Sequence, residues 1–465
     1  MKDTPGSPAT LERRLGPFDA AAIIVSNVIG GGILFTPPQV AAAVPNAVYF
    51  LLTWVVGGLL AFAGAMAYAE LAALRPRAGG EYVYLRHAYG PLAGFLTGWT
   101  SFVAGFSGAM AASAVVLVLY LDRFIPGVAD ETPLFVVPLP YVPLVVTRRS
   151  LAAIVAVWLM AAVHIRGVGP GRAVSNVLAT LKVTALLIFI GLGIAIGAGS
   201  SANLTQTVGS VGATGWLLAL IPVMFTYSGW NAASYMAEEI RDPGRNVPLA
   251  LATGTLGVIA IYLLLNGLYL YVMPVAELAS VRGSVLDVVA ERLLGGRSGD
   301  VMGIVSIVSL TAGLSAWTFA GPRVYYAMAR DGVFFPAAGR VHPRFKTPML
   351  AIVAQAAWTS VLVLTGSADS LTRYTGFAIT LFAGVAVAAV FVLRRREPDA
   401  PRPFKALGYP FTPAVFVVVS ALMVVNAIWR DPGPSGAGVL VMLAGLPLYA
   451  YFRSSRRTDS GGQSS

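Results

Sequence analysis

The sequence predicts an all-α membrane protein of twelve transmembrane helices. Three observations lead there. Hydrophobic residues make up 57 % of the 465-residue chain and charged residues only 11 %, where a soluble protein carries about 25 % charged residues. Mean hydropathy is +0.74. Apolar runs of about 20 residues, the length that crosses a bilayer, recur along the whole chain and are separated by short basic loops.

The twelve expected spans cover residues 18–44, 47–73, 91–120, 150–166, 174–197, 214–237, 247–273, 298–328, 348–365, 370–393, 410–429 and 436–453. Residues 1–17 read as a polar cytoplasmic tail, with no apolar stretch ahead of a cleavage site and hence no expected signal peptide. Residues 121–150 form a longer Pro-rich loop, and 454–465 read as a polar, disordered cytoplasmic tail. The chain has no cysteine. Disulfides, thiolate chemistry and Cys-metal sites are excluded, and so is a disulfide-linked ancillary subunit. The net charge of +11 could point to nucleic acid, but the basic residues sit in short loops between apolar spans. No nucleic-acid partner is expected; the lipid bilayer is.

Charge placement sets the orientation. Of the 32 Lys and Arg, 23 fall in the tails and alternate loops on the side of the amino terminus and 8 on the other side. The positive-inside rule then places both termini in the cytoplasm, with a plasma or inner membrane as the expected location. The one basic residue left over is Lys182, inside span 5.

Two spans read as broken helices. Span 1 contains Val28-Ile29-Gly30-Gly31-Gly32 and then Pro37-Pro38; span 6 contains Phe225-Thr226-Tyr227-Ser228-Gly229-Trp230-Asn231. Each glycine costs a helix about 1 kcal/mol relative to alanine, and unwound backbone in a bilayer is tolerated where it lines a cavity. Close helix packing is the plainer account of small residues. Breaks at matching places argue instead for a five-plus-five inverted repeat, residues 18–197 and 214–393, with 410–453 as two accessory helices. An unwound segment offers free N–H groups at one half-helix end and free carbonyls at the other. Such a pair of ends suits a carboxylate and an ammonium, hence the main chain of an amino acid.

At these residues the sequence resembles the amino acid–polyamine–organocation superfamily, and within it the L-type amino acid transporters and their bacterial relatives. Val28 to Ile33, Arg77 to Leu85, Ala88 to Leu92, Phe225 to Asn231, and Glu238 to Pro248 carry the resemblance. It implies a leucine-transporter-like fold with discontinuous helices 1 and 6. It also implies that the amides around Gly31 and Gly32 hold the substrate carboxylate and that the carbonyls of Val28, Phe225 and Ser228 hold its ammonium. Ile29, Gly30 and Gly229 belong to the same unwound segments. Phe225 would close over the substrate as a gate, and Asn231 would brace the break. Gly31 stands where many relatives have serine, and Ser228 where the L-type members have glycine. Both departures weigh against a large aromatic substrate.

A lysine inside a membrane span costs about 2.5–3.5 kcal/mol and is a functional candidate by default, although a long side chain can also snorkel to an interface. The resemblance implies that Lys182 replaces a bound Na⁺ and ties span 5 to the span 1 break. As a fixed charge or as a proton carrier it would serve coupling, so H⁺ joins the amino acid as a candidate substrate. Glu238 and Glu239, beside Arg241 and Arg245, suit a cytoplasmic ion-pair lock or a solvated helix end. Asp19 complements a helix dipole. His87, His164 and His342 lack metal-ligand spacing. No P-loop, Rossmann glycine run or nucleophile elbow is present, so neither a cofactor nor an enzyme activity is expected. Spans 1, 3, 6, 8 and 10 hold acids only near their ends, which favours neutral amino acids. The alternatives are another organic amine, a cationic amino acid, or a sensor or channel on the same scaffold.

Overall fold

The structure is a computed structural model that describes residues 11–138, 143–197, 199–296, 298–365, 368–430 and 432–461, without the side chains of 368–377, 434 and 455–461. The ends of both expected tails, residues 1–10 and 462–465, lie outside the described residues.

The first apolar span is three helices: α1 (Pro17–Val28), α2 (Gly31–Phe35) and α3 (Pro37–Ala43). Next come α4 (Ala47–Leu74), the short α5 (Glu81–Tyr89), α6 (Pro91–Thr100) and α7 (Phe106–Leu121). Residues α8 (Arg148–Ile165) and α9 (Val168–Ile196) follow. The second broken span is α10 (Ala213–Thr226) with α11 (Ala232–Tyr235). Then come α12 (Pro243–Val272), the short α13 (Val275–Ser280) and α14 (Val285–Leu294), and α15 (Ser298–Arg330). The chain ends with α16 (Met349–Leu364), α17 (Ala368–Arg396), α18 (Phe411–Arg430), α19 (Pro432–Leu443) and α20 (Gly445–Gly461).

Ten helical segments are long and apolar enough to cross a membrane, and Ala213–Thr226 and Met349–Leu364 are apolar but shorter. Every expected span coincides with one of these. The end differs from expectation: α20 stays helical to Gly461, so the tail expected to be disordered from 454 continues the last helix. The Pro-rich loop holds a hairpin of Phe135–Val137 against Leu144–Val146.

Between α6 and α7, Ser101–Gly105 is π-helical. A π turn leaves carbonyls out of the regular ladder, and side chains from other helices take two of them. Tyr325 of α15 donates to the Ser101 carbonyl at 3.2 Å, and the Trp358 indole of α16 donates to that of Val103 at 2.9 Å.

The ion pairs support the alternation of the loops. Arg75–Glu397, Arg77–Asp331, Arg86–Asp331, Arg172–Asp19, Arg330–Glu238 and Arg394–Glu70 join segments expected on the amino-terminal side. Arg123–Asp300, Arg149–Glu131 and Arg292–Glu277 join segments expected on the other. None of the pairs found among the described residues joins opposite sides.

Helices approach closely at glycines. A Cβ on Gly57 of α4 would collide with Val223 Cγ1 of α10. Gly57→Leu should therefore force the two helices apart, at about 1–3 kcal/mol for overpacking. The measurement is the melting midpoint of the detergent-purified protein, which should fall by several degrees.

Candidate functional site

The first break arises where the backbone leaves the helical region. Ile29 is extended, Gly30 sits at φ −144° and ψ −148°, and α2 restarts at Gly31. The carbonyls released here do not go unpaired. Lys182 of α9, fully buried, donates to the carbonyl of Ser26 at 3.2 Å and to that of Ile29. This replaces the snorkelling account: the ammonium is turned inward onto the break. The Tyr262 hydroxyl of α12 lies 2.8 Å from the Val28 carbonyl and 3.2 Å from that of Thr226. It shares its one hydrogen between the two broken spans.

In the second break, α10 ends at Thr226 and Gly229 takes φ +101°. Asn27 Nδ2 donates to the Gly229 carbonyl at 3.2 Å. Glycine is required there twice over, since a Cβ would also fall 2.8 Å from Asn27 Nδ2. The three glycines of span 1 separate. A Cβ on Gly30 would meet nothing within 4 Å, and one on Gly31 would meet only the Phe35 ring at 3.8 Å. Gly32 packs tightly instead, its Cβ position 3.1 Å from Thr226 Cα. Open space thus lies beside Gly30 and Gly31, while Gly32 is a contact between the two broken spans.

Phe225 is 41 % exposed. With Ser228 it borders a pocket of about 40 Å³ lined also by Ile379, Ala383, Phe416 and Met423. The other expected site residues (Val28, Ile29, Gly30, Gly31, Gly32, Gly229 and Asn231) do not line it. The Phe225 carbonyl accepts the Ser228 amide at 3.0 Å.

Asn231 is fixed by a network that the sequence did not reveal. Its Nδ2 donates to Glu81 Oε1 at 2.7 Å and to Tyr235 Oη at 3.0 Å, and Tyr68 Oη donates to the same Glu81 oxygen at 2.6 Å. Glu81 reaches this position because Gly79 and Gly80 turn the chain at φ +112° and +49°. Tyr235 crowds that turn so closely that a Cβ on Gly80 would sit 2.6 Å from its ring. Burial pushes the Glu81 carboxyl up from its ordinary range, against the hydrogen bonds from Tyr68, Tyr235 and Asn231.

The end of the bundle that carries the amino-terminal segment is closed. Glu239, just past α11, forms a two-pronged pair with Arg323 of α15, at 2.7 and 3.0 Å, with both residues buried. Glu238 pairs with Arg330 at 3.0 Å and accepts the Ala78 amide at 3.1 Å. Of the two readings of this acidic pair, the ion-pair lock is the one found and the solvated helix end is not, with partners on α15 in place of the neighbouring Arg241 and Arg245. A parallel bridge of Leu15 to Ile240 lays the amino-terminal segment along it.

Two interrupted apolar helices, touching at their breaks inside a helical bundle and closed at one end by a buried ion pair, define a membrane carrier. A family model described as an amino acid permease matches residues 15–452, and the chain belongs to that family. The large neutral amino acids transporter small subunit 2 of Homo sapiens is 30 % identical over 450 residues, 96 % of this chain and 81 % of that protein. The serine/threonine exchanger SteT of Bacillus subtilis (strain 168) is 27 % identical over 444 residues, 94 % of this chain and 96 % of that one. The cystine/glutamate transporter of Homo sapiens is 29 % identical over 456 residues, 97 % and 87 % of the respective chains. The resemblance to the L-type transporters and their bacterial relatives is thereby borne out, and amino acid transport with it.

Removing one member of a buried pair leaves an uncompensated charge, at a cost of about 3–5 kcal/mol. Arg323→Ala should thus loosen the closed end. In this cysteine-free chain a single cysteine placed at the buried Ser234 reports on it alone. Maleimide labelling should be several-fold faster in the Arg323→Ala background, and equal rates would show that the pair does not hold the end shut.

Proposed function

We propose that the chain transports small neutral amino acids across a cell membrane without Na⁺, by alternating access to a site between the two breaks. The architecture would be twelve membrane spans in a leucine-transporter-like five-plus-five repeat, with α18 and the α19–α20 pair as accessory helices. Both termini would face the cytoplasm, following the charge bias and the same-side ion pairs.

The observation that carries this reading is the joining of the two breaks. Asn27 to Gly229 and Tyr262 to Val28 and Thr226 bind the interrupted segments to each other. Lys182 occupies the carbonyls beside them. A Na⁺ ion would need those carbonyl oxygens, and a buried ammonium already supplies a positive charge at that place. The α2 amides beside Gly30 and Gly31 suit the substrate carboxylate, and the Val28, Phe225 and Ser228 carbonyls suit its ammonium. Phe225 would close over the bound substrate from the side opposite the Glu239–Arg323 lock. Ser228 adds bulk where a larger side chain would extend. The relative named as a serine/threonine exchanger fits a small substrate.

Uptake of radiolabelled serine, threonine, alanine, leucine and arginine into proteoliposomes tests the proposal, with and without Na⁺ and internal amino acid. Saturable, Na⁺-independent uptake of the small neutral substrates is expected; strict dependence on Na⁺, or a preference for arginine, would overturn it. Lys182→Ala should reduce turnover at least tenfold, because the Ser26 and Ile29 carbonyls lose their shared cation. Phe225→Ala should impair substrate occlusion while leaving the protein folded, read as a raised KM at normal melting temperature.

A further inference from the structure

Among the described residues the buried acids are Asp19, Glu70, Glu81 and Glu239. Three of them have a basic partner. Glu239 has Arg323, Glu70 has Arg394 and Arg402, and Asp19 has Arg172 at 3.7 Å. Glu81, only 6 % exposed, has none; its hydrogen bonds are to the neutral groups of Tyr68, Tyr235 and Asn231. A carboxylate removed from water without a cation favours its neutral form. Its place is not incidental, since one of its partners is Asn231 of the span 6 break.

We propose that Glu81 is a proton-binding site of the transport cycle, holding a proton while the amino-terminal end is closed and releasing it to the cytoplasm when that end opens. The inference rests on the proposed transport function and its orientation. In the closed state the acid is neutral. Its Oε1 accepts from Tyr68 and Asn231, and its own O–H is directed to the hydroxyl of Tyr235, its third partner, which accepts Asn231 Nδ2 as well. Opening requires the Glu239–Arg323 and Glu238–Arg330 pairs to part, which frees the α11 arm carrying Tyr235 and the adjoining Asn231. Water then reaches Glu81, the O–H bond breaks, the proton passes to that water and the carboxylate remains. Reclosing buries the anion again and restores its demand for a proton.

The groups around Glu81 leave it as the titrating member. Facing it are the phenols of Tyr68 from α4, Tyr84 from its own helix and Tyr235 from α11. The charged residues of the packed elements are engaged elsewhere: Glu70 of α4 with Arg394 of α17, Arg396 of α17 with the Ala88 carbonyl, and Arg323 of α15 with Glu239. Asp331, after α15, takes Arg77, Arg86 and the Tyr82 hydroxyl.

Glu81→Gln tests the site. A glutamine Oε1 accepts from both Tyr68 and Asn231 but carries no titratable proton. In proteoliposomes an inside-alkaline gradient should stimulate uptake by the parent protein several-fold and leave Glu81→Gln unstimulated, while exchange at equal pH persists in both within about twofold. Equal stimulation of the two, or none in the parent, would overturn the proposal. Loss of exchange in the parent would instead count against the transport function itself. Should Glu81→Gln fail to fold, calorimetry of serine binding to the parent in two buffers of different ionisation enthalpy decides alone. A buffer-dependent heat, showing linked proton movement, is expected, and identical heats would overturn the proposal.

Discussion

A backbone polar group inside a bilayer has no water to turn to, and that constraint organises this molecule. Twelve apolar runs meet it by being helices. At two places the helix stops, and the released carbonyls must find donors from elsewhere. They find them in three side chains on three different helices: Lys182 of α9, Tyr262 of α12 and Asn27 of α1 itself. The breaks are thus held by the surrounding bundle. This explains why a lysine and an asparagine are buried among residues chosen for apolarity. Beside them, open space remains at Gly30 and Gly31.

A second set of polar contacts works at the amino-terminal end. The buried Glu239–Arg323 pair joins the α11 arm to α15, and the Leu15–Ile240 bridge fastens the leading segment across it. Buried pairs of this kind contribute little net stability once desolvation is counted. Their value here is that they are geometric and separable, so the end can be shut firmly and still part without unpacking a hydrophobic core. Glu81 sits behind this assembly and reads its state through Asn231 and Tyr235.

Much of this was legible in the residues. The twelve apolar runs and the two breaks follow from hydropathy and glycine placement; Lys182 stood out as one basic residue out of place, and only the family resemblance turned it inward onto the break. The remainder depends on which helices cross. Nothing local links Glu239 to Arg323, 84 positions away; the nearby Arg241 and Arg245 were the natural guess and are not the partners. Glu81 looked like a loop residue because it lies between two spans, and only the Gly79–Gly80 turn against Tyr235 carries it inside. The close contact of Gly32 with Thr226 was invisible for the same reason: three adjacent glycines look alike until a neighbour arrives. The helical continuation of α20 to Gly461 runs through polar residues whose composition spoke for a coil.

The π-helical stretch of α6–α7 has a consequence for length as well as for bonding. A π turn accommodates one residue more than an α turn, so Ser101–Gly105 stores an insertion inside an otherwise continuous span. Deleting a single residue there would turn the π turn into an α turn, and because both turns complete about one circuit, the half beyond it would keep its facing. Phe106 would keep the Tyr235 ring that it meets edge-on at 5.2 Å, and the same stripe of α7 would face the broken spans. Chains of this architecture that differ by one residue in this stretch would therefore present like walls to their cargo, the difference being confined to the carbonyls that Tyr325 and Trp358 take here.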